Sequence, residues 1–132
     1  MKRRMAVGTV LALTLAGCGG ETTTNADGTT ATGGKIFIGV AGPISGAQAV
    51  FGEDMIRSAQ LAVDEINAQG GVLGKTIEIV PGDDQGDARQ AATVAQKMTS
   101  TDGLVGVVGH FNSGCSIPAS QVYKRADLVM LS

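Results

Sequence analysis

The chain is 132 residues with 43% hydrophobic, 17% charged and 3% aromatic side chains, enough for one domain with an aliphatic core and too short for a multidomain enzyme. A formal net charge of -2 supplies no positive field to displace counterions from a nucleic-acid backbone, so no nucleic acid is expected as a partner. Two cysteines, Cys18 and Cys115, exclude a disulfide-stapled miniprotein.

Residues 1–17 have the shape of an export signal. Lys2, Arg3 and Arg4 give a positive start, an apolar run follows, and small residues lead to Leu15-Ala16-Gly17-Cys18. The run is shorter than the roughly 20 residues needed to span hydrocarbon as a helix. Leu-Ala-Gly-Cys resembles the lipobox of bacterial lipoproteins, which implies cleavage before Cys18 and an acyl anchor on its thiol. The plain alternative is a secretory peptide with an incidental cysteine. Residues 18–34 are rich in Thr and Gly with almost nothing apolar to bury. They are expected to act as a tether with a root-mean-square span of roughly 20–24 Å. Folding is expected to start at Lys35.

The folded part alternates strand and helix. Ile36 to Ala41 reads as a buried strand stopped by Gly42-Pro43, and a loop through Gly46 and Gly52 precedes a helix with Glu53 and Asp54 in its first turn. Met55, Ala59, Ala62, Val63 and Ile66 form its apolar face, with Arg57, Gln60, Asp64 and Asn67 opposite and Gly70-Gly71 as the stop. Thr76 to Val80 is a second strand ended by Pro81-Gly82. Asp87 caps a second helix through Lys97, whose slim stripe is Ala88, Ala91, Ala95 and Met98. Leu104 to Val108 is a third strand. A loop from Gly109 to Ser116 leads to a third helix over Ile117 to Arg125 with Pro118 in its first turn, and Leu128 to Leu131 is a fourth strand. This alternation with short connections predicts an α/β fold with a doubly wound parallel sheet.

Ligands of such sheets sit beyond the carboxyl ends of the strands. Of the three loops there, Gly109-His-Phe-Asn-Ser-Gly-Cys-Ser116 matches a phosphate loop except that Cys115 replaces the lysine, which argues against a nucleotide hydrolase. Backbone N–H groups at a helix start still accept a carboxylate, so Ser113, Gly114 and Cys115 are read as an anion site. The simpler alternative is a capped helix start with Ser113 or Ser116 as N-cap, and both can hold together. No G-x-G-x-x-G or G-x-S-x-G is present, and no catalytic residue is assigned. His110 is expected as a strand-end hydrogen-bonder, Asp83, Asp84 and Asp87 as caps and solvated charge rather than a metal cluster, and Cys115 as an inert residue near the pocket. No cofactor or metal is expected.

Gly42-Pro-Ile-Ser-Gly46, Phe51-Gly52, Ala62-Val-Asp-Glu-Ile-Asn-Ala-Gln-Gly-Gly-Val-Leu-Gly74, Asp83-Asp84 and Gly109-His-Phe-Asn-Ser113 with Pro118-Ala-Ser120 together resemble the leucine/isoleucine/valine-binding proteins. These are type I periplasmic binding proteins that serve ABC importers. The resemblance covers residues 35–132 and implies the Rossmann-like N-terminal lobe of a two-lobed clamp, incomplete at Ser132. It implies that Ser113 holds a ligand carboxylate through its hydroxyl and N–H, with Asn112 and Gly114 beside it, and that Phe51 stands at a pocket position where tyrosine is expected. Relatives with a disulfide between positions matching Gly86 and Asn112 have no counterpart of it here. The acid that pairs with the ligand ammonium is implied in the second lobe. The expected function is an extracytoplasmic solute-binding lipoprotein, not an enzyme, taking branched-chain or related amino acids for a membrane permease. A ligand-sensing receptor on the same fold is the alternative.

Overall fold

The computed structural model describes residues 33–132 together with the backbone of residues 23–24 and 30–31. The expected export signal and the expected lipid site at Cys18 lie outside the described residues. Within the expected tether, β1 (Thr23–Thr24) and β2 (Thr30–Ala31) pair antiparallel. The remainder is β3 (Gly33–Gly42), α1 (Ala49–Ala68), β4 (Lys75–Asp83), α2 (Ala88–Thr99), β5 (Leu104–Gly109), α3 (Ser113–Arg125) and β6 (Val129–Leu131).

The last four strands form one parallel sheet in the order β4-β3-β5-β6. Successive residues of β3 point to opposite faces. Val40 faces α1, whereas Ala41 joins Ala91, Ala95 and Met98 of α2 and Cys115, Ala119 and Tyr123 of α3 in the buried core. The sheet is therefore covered by α1 on one face and by α2 and α3 on the other, the doubly wound arrangement expected. Small residues make α2 lie close: a Cβ at Gly82 would come within 2.5 Å of Met98 and 2.6 Å of Val94. α1 packs mainly on β3 and β4. Val108, Val129 and Leu131, on its side of β5 and β6, stay exposed.

β3 starts at Gly33, before the expected start of folding at Lys35, and α2 runs two residues past Lys97. Three further boundaries differ with consequences for the site. α1 begins at Ala49, so Glu53 and Asp54 fall in its second turn and Gly52 lies inside the helix. Gly52 is there for close approach: a Cβ would stand 2.3 Å from the Pro43 carbonyl oxygen, so only glycine lets α1 rest on the β3–α1 loop. β4 continues through Pro81 to Asp83, which proline tolerates because β4 is an edge strand bonded only to β3. α3 begins at Ser113, four residues before Ile117, and Pro118 sits in its second turn rather than its first.

Asn67 also departs from its expected solvent-facing place. Its amide donates to the Ile77 carbonyl at 2.9 Å and accepts from the Ile77 N–H at 2.8 Å. Both groups lie on the free side of β4, so one side chain satisfies backbone polarity that an edge strand otherwise leaves bare. Ala62 is exposed as well, and Ile66 is only partly covered. The effective apolar face of α1 is thus narrower than its periodicity.

Candidate functional site

The carboxyl ends of β3, β4 and β5 converge at one edge, and adjacent acids tie their loops together. Asp83 Oδ1 accepts from the Ile44 and Ser45 amides at 2.9 and 3.1 Å and from Gln85 N at 3.0 Å, while Oδ2 takes the Ser45 hydroxyl. Burial pushes the Asp83 carboxyl up, but the Ser45 hydroxyl and the three amides outweigh it and hold it below the usual aspartate value. Asp84 turns the other way, fully buried. Its Oδ1 accepts from Gly86 N at 2.8 Å and its Oδ2 lies 2.6 Å from His110 Nδ1. Of the acids expected to be solvated or capping, Asp87 is the N-cap, accepting from the Arg89 and Gln90 amides. Asp83 clasps a loop and Asp84 is interior. The sequence signal was available: two successive residues leaving a strand must point to opposite faces, so one of an acidic pair has to turn inward.

The first and third loops are joined directly. Asn112 Nδ2 donates to Gln48 Oε1 at 2.7 Å, and a Cβ at Gly86 would sit 3.0 Å from that oxygen and 3.4 Å from that nitrogen. Asn112 is the N-cap residue of α3, in place of Ser113 or Ser116, and caps with its main chain: its carbonyl accepts from Cys115 N at 2.8 Å and Ser116 N at 2.9 Å. The Cys115 amide is thereby committed within the helix, which leaves Ser113 and Gly114 as the exposed amides of the predicted anion site. The Cys115 thiol is buried in the core and pushed up by burial, then by the charges of Asp84 and Asp87, as suits an inert residue. Gly109, immediately before the loop, has φ +119°, and a Cβ there would lie 2.0 Å from the Ala41 carbonyl oxygen. Only glycine lets β5 turn out of the sheet so tightly against β3.

Beside this edge lies an open cleft of about 530 Å³ walled by Val40, Phe51, Met55, Val108 and Phe111, with Asp54 at its rim tied to Arg57. Phe51 and Phe111 stack with ring centroids 5.1 Å apart and planes inclined by 14°. Phe51 is thus a wall residue, paired with Phe111, which the sequence reading did not single out. Asn112, Ser113 and Gly114 are not among the walls of the cleft. They adjoin it through the chain, since Ser113 lies two residues beyond Phe111. The chemistry on offer is a patch of unspent helix-start amides and a serine hydroxyl next to an apolar, aromatic surface.

Residues 35–132 match the family described as periplasmic binding protein. Curated relatives include Leu/Ile/Val-binding protein homolog 2 of Brucella abortus, 45% identical over 97 residues, and an amino acid binding protein of Pseudomonas aeruginosa, 44% identical. Each alignment covers 74% of this chain and 26% of the relative, so the chain spans about a quarter of their length. Among solved structures, an ABC transporter substrate-binding protein from Desulfitobacterium hafniense in complex with Leu superposes with a TM-score of 0.66 and 42% identity, over 74% of this chain and 28% of that one. The branched-chain amino acid transporter substrate binding protein LivJ from Streptococcus pneumoniae, in complex with isoleucine, gives 0.69 and 36% over 73% and 28%. The family match takes in all four strands of the parallel sheet, from Lys35 of β3 onward, and its three helices, and the chain belongs to the periplasmic binding protein family.

Proposed function

We propose that this chain forms the carboxylate-holding lobe of an extracytoplasmic solute-binding protein that delivers branched-chain or related amino acids to an ABC permease. The observation that carries the reading is the junction at Phe111: its ring stacks on Phe51 in the cleft wall, and two residues later α3 opens with Ser113 and Gly114. A zwitterion with an aliphatic side chain matches that pairing. Its carboxylate suits the Ser113 hydroxyl and the first amides of α3, where the helix dipole favours negative charge. Its apolar part suits two faces that carry no hydroxyl, since Phe stands at position 51. The complexes of the Desulfitobacterium and Streptococcus relatives with leucine and isoleucine support the same ligand class. In this reading Cys18 carries the lipid that keeps the protein at the membrane, the residues between it and β3 are its tether, and the second lobe supplies the partner for the ammonium.

A lobe that covers one side of its ligand leaves the rest hydrated and binds weakly. The 132-residue chain alone is therefore expected to give no isotherm with leucine in calorimetry. Residues 35–132 fused to the second lobe of the Desulfitobacterium relative are expected to bind leucine with micromolar or tighter affinity. A folded fusion that binds no branched-chain amino acid would overturn the assignment. Lipid on Cys18 is read separately, as a mass increase of the exported chain that a Cys18→Ser variant lacks.

A further inference from the structure

Behind the exposed start of α3 runs a buried polar chain that crosses the core. His110 Nδ1 lies 2.6 Å from Asp84 Oδ2, His110 Nε2 lies 3.2 Å from the Tyr123 hydroxyl, and Met98 Sδ lies 3.4 Å from that same hydroxyl. Asp84, His110 and Tyr123 are all at most 2% exposed. The carboxylate fixes the ring proton on Nδ1, because a carboxylate oxygen accepts and cannot donate. Burial, and then the charge of Asp84, push the Tyr123 hydroxyl up to about 12, so it remains an O–H group across the physiological range.

Packing alone does not call for these groups. Each buried polar side chain costs free energy unless it is paired, and apolar residues of similar volume fill such a space more cheaply. A fully paired network does something apolar residues cannot, since it admits one arrangement of its members. Here the members belong to the end of β4, the β5–α3 loop and the body of α3. The main chain of the central residue is held too: the His110 carbonyl accepts from Ser116 Oγ at 2.9 Å and Ser132 Oγ at 3.2 Å. Only Phe111 and Asn112 separate that anchored residue from Ser113.

We propose that His110 is a positioning residue for ligand binding: clamped between Asp84 and Tyr123, it sets the path of residues 111–114 and so aims the Ser113 and Gly114 amides and the Phe111 ring. The inference rests on the ligand site proposed above, yet it makes a claim about the empty chain that can be read independently. The loop is held by the hydrogen bonds of the imidazole and not by its bulk.

The test uses the full 132-residue chain with Tyr123→Phe, which deletes one hydroxyl and leaves the ring, with His110→Gln as the harsher variant. Val63→Ala, in the α1 layer, serves as a control with a comparable loss of melting temperature. Without ligand, amide exchange at Cys115 and Ser116 is expected to quicken about tenfold relative to the α2 amides in Tyr123→Phe and His110→Gln, and to be unaltered relative to α2 in the control. With leucine, the response of the Ser113 and Gly114 amide resonances is expected to fall at least about fivefold in apparent affinity for the two network variants and to persist in the control. Exchange that rises equally in all three variants, or a leucine response in Tyr123→Phe equal to that of the parent, overturns the positioning role. If the parent shows no leucine response while the exchange pattern holds, the ligand assignment fails and the loop anchor stands.

Discussion

Phe51 opens its ring to Phe111 across the gap between α1 and the β5–α3 loop, with centroids 5.1 Å apart and planes within 14° of parallel. The pair joins two segments sixty residues apart in the sequence at the edge where Ser113 begins α3. Both rings remain about half exposed, at 50% and 46%, so their value to folding is modest and their apolar faces are left for something else to cover. Phe51→Ala is expected to cost about 0.5–1.5 kcal/mol in urea unfolding. It is also expected to weaken the leucine response of the Phe111 and Ser113 resonances. A variant with unchanged ligand response would remove Phe51 from the site.

Gly52 sets two effects of opposite sign against each other. Alanine in a helix is favoured over glycine by roughly 1 kcal/mol. Against this, the added Cβ would stand 2.3 Å from the Pro43 carbonyl oxygen, and backbone cannot swing aside as a flexible side chain does. Gly52→Ala is expected to destabilise the chain by about 1–3 kcal/mol net, read as a lower urea midpoint at unchanged slope. A raised midpoint would contradict the packing of α1 on the β3–α1 loop.

Asn67 is expected to matter through both its donor and its acceptor. Asn67→Ala strips two hydrogen bonds from the Ile77 backbone, at about 1–3 kcal/mol in all. Asn67→Asp keeps an acceptor for the Ile77 N–H and loses the donor to its carbonyl. Amide exchange at Ile77 is therefore expected to quicken in the alanine variant and to stay near the parent rate in the aspartate variant. Equal acceleration in both would contradict the clamp.

Asp83 links the β3–α1 loop to acid stability. Its carboxyl is lowered in the folded chain, so it contributes stability that is fully present above the unfolded value of about 3.9 and is lost as pH falls through the lower folded value. Asp83→Asn is expected to lower stability at neutral pH and to flatten the part of the acid unfolding profile below about pH 4 that this group supplies. A variant whose profile parallels that of the parent across that window would show that Asp83 is not held by Ser45 and the loop amides.

Much of the fold was legible because the signals are local. Apolar runs marked the four strands, Gly70-Gly71 marked the end of α1, and Asp87 marked the start of α2. The misses have physical causes. Ser113 to Ser116 carries no helical apolar stripe, and Pro118 resembles a first-turn marker, so the sequence points to Ile117, four residues past the start of α3. Gly52 looks like a loop residue until the opposing Pro43 carbonyl is in view. Asn67 looks solvent-facing until β4 is known to be an edge strand. The site divides the same way. For the proposed site, the loop pattern points to Ser113, Gly114 and Cys115 and the family resemblance to Phe51 and Asn112, whereas the pairing of Phe51 with Phe111, of Gln48 with Asn112 and of Asp84 with His110 depends on contacts between loops far apart in the chain.

The most direct measurement is a nuclear magnetic resonance titration of the 132-residue chain with L-leucine and, separately, with L-leucinamide, which keeps the side chain and ammonium but lacks the carboxylate. Leucine at millimolar concentration is expected to move the Ser113 and Gly114 amide protons downfield, as a charged acceptor does to N–H donors, with smaller shifts around Phe51 and Phe111. Leucinamide is expected to leave Ser113 and Gly114 unmoved, and Ser113→Ala to reduce the leucine shifts. Equal shifts with both ligands, or amides at the start of α3 that never respond to leucine, would contradict the carboxylate cradle on which the functional account rests.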